Sequence, residues 1–225
     1  MLYNWKLGNY FRELSVVVVG VFITLAATNF ISETSQEKQI KESMLMIKME
    51  LTENLKEINK AETTYLREIA FFQLLQEKQN SLSSIKASVL EENINTPYSV
   101  HDLTYSEDAL EVLKTSALMQ QISDKQFILR LLQAYKQCRI IKRDNDFYYE
   151  YKERRMNRHL NRSTNKDEIR KYREDIYGMW GKMLDSPEFQ MAVTATPNTF
   201  DENPFLIPQI VIKEVIQLIN KKYVE

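Results

Sequence analysis

The chain has 225 residues, with 30 Lys and Arg set against 31 Asp and Glu, four Gly, five Pro and one Cys. Charge that nearly cancels leaves no global field to draw the protein to nucleic acid, and so few turn residues argue against a β-rich fold. A hydrophobic share of 44% excludes a disordered chain, while the lone cysteine excludes an internal disulfide and a thiolate zinc cluster.

Residues 1–13 place Tyr3, Trp5, Tyr10 and Phe11 beside Lys6 and Arg12, an aromatic and basic belt suited to a membrane interface. Leu14 to Ile31 then runs for eighteen residues without a charge. At 1.5 Å per residue this is about 27 Å, near the thickness of a bilayer core. The expected element over 14–31 is one transmembrane helix. A buried core helix and a cleaved signal peptide compete with it, the second using Thr24-Leu25-Ala26 as a passable cleavage site. Against cleavage, Glu13 abuts the apolar run and helical patterning resumes soon after Ala26. Val16 to Ala27 has no polar face, which excludes an interfacial helix. Lys6 and Arg12 favour a cytoplasmic N-terminus, with residues 32–225 as an extracytoplasmic domain on a cell (inner) membrane. Gly20, Thr24 and Thr28 recur every four residues and form a candidate pairing face for a second helix.

Beyond the span, a 4-3 rhythm links Ile40, Met44, Ile47, Leu51, Asn54, Ile58, Ala61, Tyr65, Glu68, Phe72 and Leu75. No Gly or Pro interrupts from Val21 to Thr96, so one long helix is expected to leave the membrane as a rod. Its stripe suits either a coiled-coil dimer, with Asn54 fixing register, or an intramolecular bundle. Enough helices follow to favour the bundle.

Gln79-Asn80-Ser81 weakens the pattern, and Asn93 to Ser99 breaks it. Thr104-Tyr105-Ser106-Glu107 reads as a capping box for a helix carrying Ala109, Leu110, Val112, Leu113 and Leu118. Ser123-Asp124-Lys125-Gln126 caps a helix through Phe127, Leu131, Tyr135 and Ile141 that fades near Arg162. Thr164-Asn165-Lys166-Asp167 starts another, with Ile169, Tyr172, Ile176 and Trp180. Ser186-Pro187 is a cap with Pro at the first helical position. Thr194 to Pro208 reads as a loop, and the final helix as Ile210 to Tyr223. The fold class is therefore all-α, one N-terminal transmembrane helix continuing into a long juxtamembrane helix packed in a bundle.

The anchor FRELSVVVVGVFITLAATNF and the following KQIKESMLMIKMELTENLKEI resemble an uncharacterised bacterial family of short, N-terminally anchored single-pass membrane proteins. Its members join a span containing Glu and Gly to a helix with an acidic-Leu-x-x-Asn pattern, here Glu50 to Asn54. TYSEDALEVLKTSALMQQISDKQFILRLLQAYKQC is similar to the family's second block, through Leu113-Lys114-Thr115-Ser116, Ile122 and Tyr135. Ala117 stands where that family commonly has Gly. The resemblance covers about the first 140 residues and implies membrane anchorage and helical content, with no activity and no catalytic residues.

The residues offer no phosphate-binding Gly loop, no HExxH and no nucleophile elbow. His101 and His159 are far apart and lack carboxylates at ligand spacing, so surface or capping roles are expected of them. Cys138 reads as a packing thiol. Phe147-Tyr148-Tyr149-Glu150-Tyr151 precedes Lys152, Arg154, Arg155, Arg158 and Arg162, an aromatic and basic stretch that could contact an anionic surface. The bland alternative is a solvated face over packed tyrosines, with Asp144, Asp146, Glu150 and Glu153 diluting the charge. No catalytic, cofactor or metal site is expected. The expected function is a non-enzymatic scaffold or partner subunit of an envelope complex, touching the bilayer and a second copy or a membrane partner. A sensory ligand-binding module signalling through the rod is the alternative, with its ligand unknown.

Overall fold

The structure is a computed structural model that describes the backbone of residues 3–163 and 175–224 and the side chains of residues 18–19, 34–157 and 175–224. Among these residues there are eight α-helices and no strand, which bears out the all-α class. Helix α1 spans Tyr3–Lys78 without a break, 76 residues or about 114 Å. Among the described residues no helix is long and apolar enough to cross a membrane. Apart from Val18 and Val19, both exposed, the side chains of the 14–31 segment, including Gly20, Thr24 and Thr28, lie outside the described ones.

The 4-3 stripe is the buried face of α1. Met44, Ile47, Leu51, Ile58, Phe72 and Leu75 are fully enclosed, Tyr65 nearly so, and Asn54 and Glu68 are buried with them. What covers the stripe is the chain's own remainder rather than a second copy. A 3-10 turn at Leu82–Ser84 and the short α2 (Ala87–Glu92) follow α1. Residues 93–107 then descend without regular helix to α3 (Asp108–Thr115), α4 (Leu118–Gln121) and α5 (Lys125–Ser163). Helices α6 (Ile176–Leu184), α7 (Pro187–Ala195) and α8 (Leu206–Ile219) complete the order.

Helices α1 and α5 run parallel. Their side-chain bonds join Glu50 to Tyr135, 85 positions on, and Glu68 to Tyr148 and Lys152, 80 and 84 positions on, so the offset is nearly constant at the two heights. The two backbones seldom come close to each other; α7 and α8 pack against both. Helix α8 runs antiparallel to α1. Its start is held where Asn203 and Gln209 donate to Glu62, and its end reaches Asp124 through Lys222. The descending segment 93–107, here called the strap, bonds to residues of both α1 and α5 along its length.

The core has two parts. The lower joins α1, α3, α5 and α8 around Leu51, Ile58, Leu131, Tyr135 and Ile212. The upper joins α1, α5, α6 and α7 around Phe72, Leu75, Met156, Trp180 and Phe189. Trp180 is enclosed, and its indole N–H donates to the Leu90 carbonyl at 3.3 Å, so the ring is buried without an orphan donor.

Two helix starts follow the expected caps: Asp124 accepts from the Phe127 N–H at 2.9 Å, and Ser186 from Phe189 at 3.4 Å ahead of Pro187. The cap of α6 is not among them: Asp175 accepts from the Gly178 N–H at 2.9 Å. Two expectations fail. Helix α8 begins at Leu206, not Ile210, because Pro208 sits in the first turn, where its missing N–H forfeits no bond. The proposed capping box is absent, since Glu107 makes no side-chain bond to the α3 backbone. The expected helix start at residues 164–167 lies outside the described residues.

Candidate functional site

Two polar clamps on the strap are the most specific side-chain constellations of the bundle. The strap is not helical, so its buried N–H and C=O groups must find partners outside a backbone ladder. Side chains of α1 and α5 supply them.

The lower clamp is built on Glu50 and Asn54 of α1. Asn54 donates to the Ser106 carbonyl at 2.8 Å and accepts from the Ser106 N–H at 2.9 Å, copying the double bond of two paired strands. Glu50 accepts from the Ser106 hydroxyl at 2.6 Å, from the Ala109 N–H at 3.0 Å and from the Tyr135 phenol. Glu50 thus does for α3 what the local box does not: a carboxylate from another helix takes a free N–H of its first turn, where the dipole favours negative charge. Burial pushes the Tyr135 phenol up, and the Glu50 carboxylate pushes it further. Beside it, Arg139 pairs with Glu107, which also accepts from Tyr105 at 3.0 Å.

The hydrogen bonds to the middle of the strap come from α5. Asn145 donates to the His101 carbonyl at 3.0 Å, and Lys142 bridges Asp102 and Asp146, both at 2.7 Å.

The upper clamp is a buried ion pair. Lys152 of α5 donates to Glu68 of α1 at 2.8 Å; their side chains are 1% and 2% exposed. Lys152 also donates to the Thr96 carbonyl at 3.1 Å and approaches the Ser99 hydroxyl at 3.4 Å. Glu68 accepts from Ser99 at 3.1 Å and Tyr148 at 3.2 Å, and His101 stands 3.6 Å away. The Lys152 ammonium lies 4.7 Å from the Tyr149 ring centre. Burial holds this ammonium below its ordinary value, opposed by the Glu68 charge.

Lys152 therefore corrects the expected surface patch: it faces the core, because an amine on the strap side of α5 meets Glu68 there. Tyr148 and Tyr149 are buried with it. Arg154 is exposed and pairs with Glu150 at 3.3 Å. Arg155 lies over the Tyr151 ring at 4.1 Å. The side chains of Arg158, Arg162 and His159 lie outside the described ones. Cys138 is 1% exposed, and burial pushes its thiol up to about 12, as suits a packing role.

Three openings border this framework. A cavity of about 70 Å³ touches Pro97, Ser99 and Lys152, and one of about 200 Å³ touches Val100, His101 and Asp102. At the base of the bundle, an open groove of about 520 Å³ lies among Glu37, Ile40 and Lys41 of α1, Asp124 and Tyr223. Among the described residues no group of three His, Cys, Asp or Glu could hold a metal ion. Lys152 and the carboxylates of Glu50 and Glu68 all have partners within the fold.

No protein family, curated protein or solved structure matches the chain.

Proposed function

We propose that the chain is a membrane-tethered helical module without chemistry of its own, a scaffold or partner subunit of a cell-envelope complex. The supporting observation is the continuity of α1. One unbroken helix carries both the charge-free run 14–31 and the stripe Met44 to Leu75 that forms the spine of the bundle. A helix this long with no flexible joint fixes the bundle's position relative to whatever holds its first turns. In this reading 14–31 spans the bilayer with the N-terminus in the cytoplasm. Gly20, Thr24 and Thr28 offer a face for a second copy or a membrane partner.

The test has two parts. A C-terminal reporter active on one side of the membrane reads the topology, and mild crosslinking in membranes reads the partner. Membrane-fraction protein that crosslinks into a discrete species supports the proposal. Protein that washes off with alkaline carbonate, or crosslinks to nothing, refutes it.

The groove at the base favours a second reading, a sensory module. It touches α1 at residues 37–41, so an occupant there would press directly on the helix that leads to 14–31. A small-molecule screen against the purified chain by thermal shift separates the two readings.

A further inference from the structure

We propose that residues 93–107 form a releasable strap that opens as one unit ahead of the helices beneath it, with Glu68 and Lys152 as its lock. The strap has neither helix nor strand over 99–107. The bonds that fix it come from side chains of α1 and α5: Asn54 and Glu50 below, Lys142 and Asn145 in the middle, Lys152 and Glu68 above. A segment tied by a few side-chain bonds opens at lower free energy than helices with continuous ladders.

Packing around the strap is loose. The cavities of about 70 and 200 Å³ lie on either side of Val100. Tyr98 and Val100 face solvent, 37% and 56% exposed. Beneath this loosely packed stretch stands the group most costly to leave unpaired. A buried ion pair adds little over apolar residues of the same shape, yet removing one partner is strongly unfavourable. Only the closed strap brings the Thr96 carbonyl and the Ser99 hydroxyl that complete the shells of the two ions. Closure is therefore tied to the register of two helices. Glu68 belongs to α1 and Lys152 to α5, so a shift of one along the other separates the pair and frees the strap. Conversely, the closed strap holds α1 and α5 at one offset. The lock does not depend on whether 14–31 crosses a bilayer.

Cys138 supplies the readout. It is the chain's one cysteine, it is 1% exposed, and the next residue, Arg139, pairs with Glu107 at the lower end of the strap. The experiment follows labelling of Cys138 by a thiol reagent on the full chain in mild detergent. Amide hydrogen exchange is read by mass spectrometry on the same samples. In Lys152→Met, the amides of residues 96–106 and the labelling of Cys138 are expected to speed up about tenfold more than the core amides of α1 and α8, a difference of about 1.4 kcal/mol. Glu68→Leu combined with Lys152→Met replaces the pair by an apolar one and serves if the single variant does not fold. It is expected to keep the helices protected while the strap still exchanges faster than in the wild type. Equal acceleration of strap and helices in both variants overturns the proposal, as does a Cys138 that keeps its wild-type labelling rate in a folded Lys152→Met chain.

Discussion

Replacing Glu50 by Ala removes one side chain from α1 and is expected to loosen three other elements. The Tyr135 phenol is wholly enclosed, so it loses its acceptor in a place water does not reach. A buried hydroxyl left without a partner costs about 1–3 kcal/mol. The first turn of α3 loses the carboxylate that accepts from Ala109, and loss of a cap costs about 1 kcal/mol. Ser106 keeps its two bonds to Asn54, so the strap retains a hold there. The sum is about 2–4 kcal/mol. Glu50→Gln keeps an acceptor oxygen and is expected to cost about half as much. Because the largest part belongs to a stranded phenol, Tyr135→Phe in the Glu50→Ala background should cost little more, giving a coupling of about 1–3 kcal/mol. Urea unfolding of the full chain in mild detergent, followed by far-ultraviolet circular dichroism, measures these three variants and Tyr135→Phe alone, which closes the cycle. Strict additivity of the two substitutions, or a loss under about 0.5 kcal/mol for Glu50→Ala, would refute the reasoning.

Alkali should unfold the chain from just above pH 10. Burial pushes Tyr65 up to about 12 and holds Tyr135, Tyr148 and Tyr149 above their ordinary value of 10.0. Below pH 10 the unfolded state keeps these protons too, so their contribution to stability is fully present; as pH rises past 10 the unfolded state releases them first and that stability is lost. Each phenol removes about 1.4 kcal/mol per pH unit, and four together about 5. Tyrosinate absorbance should therefore include a step that coincides with loss of helix, and ionisation of all twelve tyrosines in a chain that stays folded would contradict this. Ala117 has φ 59°, the left-handed region where a Cβ is strained; Ala117→Gly is expected to stabilise the folded state by about 1 kcal/mol, read as a higher urea midpoint. At Gly181, inside α6, an added Cβ would meet only Leu82 at 3.9 Å, an ordinary contact. Gly181→Ala is thus expected to add about 0.5–1 kcal/mol, and a loss in the same assay would show that α6 packs closer than this.

The parts of the fold that depend on local periodicity were legible in the residues. The stripe from Met44 to Leu75 is buried on the expected face, and the Asp124 and Ser186 caps stand where short-range patterns put them. Two polar members of that stripe, Asn54 and Glu68, gave a signal whose meaning was only half readable. They stood out as polar residues on an apolar seam, but their partners lie 52 and 84 residues away. Nothing within a window of one helix could name Ser106 or Lys152. The same separation explains the failed capping box, because the cap of α3 arrives from Glu50, 59 residues upstream of the amide it accepts from. Lys152 misled for a related reason. Its neighbours Arg154 and Arg155 make a basic surface run, and a single position of helical phase decides which amine turns inward.

The parallel course of α1 and α5 sets a schedule for making this protein. Helix α1 leaves the ribosome with its apolar stripe complete and with Glu68 lacking its cation. Lys152 follows 84 residues later. At about 5–20 residues per second that interval is about 4–17 s. Helix α8, which covers another side of the same stripe, comes later still. An antiparallel hairpin would have closed at once on its neighbour; here the first helix must wait as an exposed apolar rod. The risk of misassociation is therefore expected to peak before α5 emerges rather than after release.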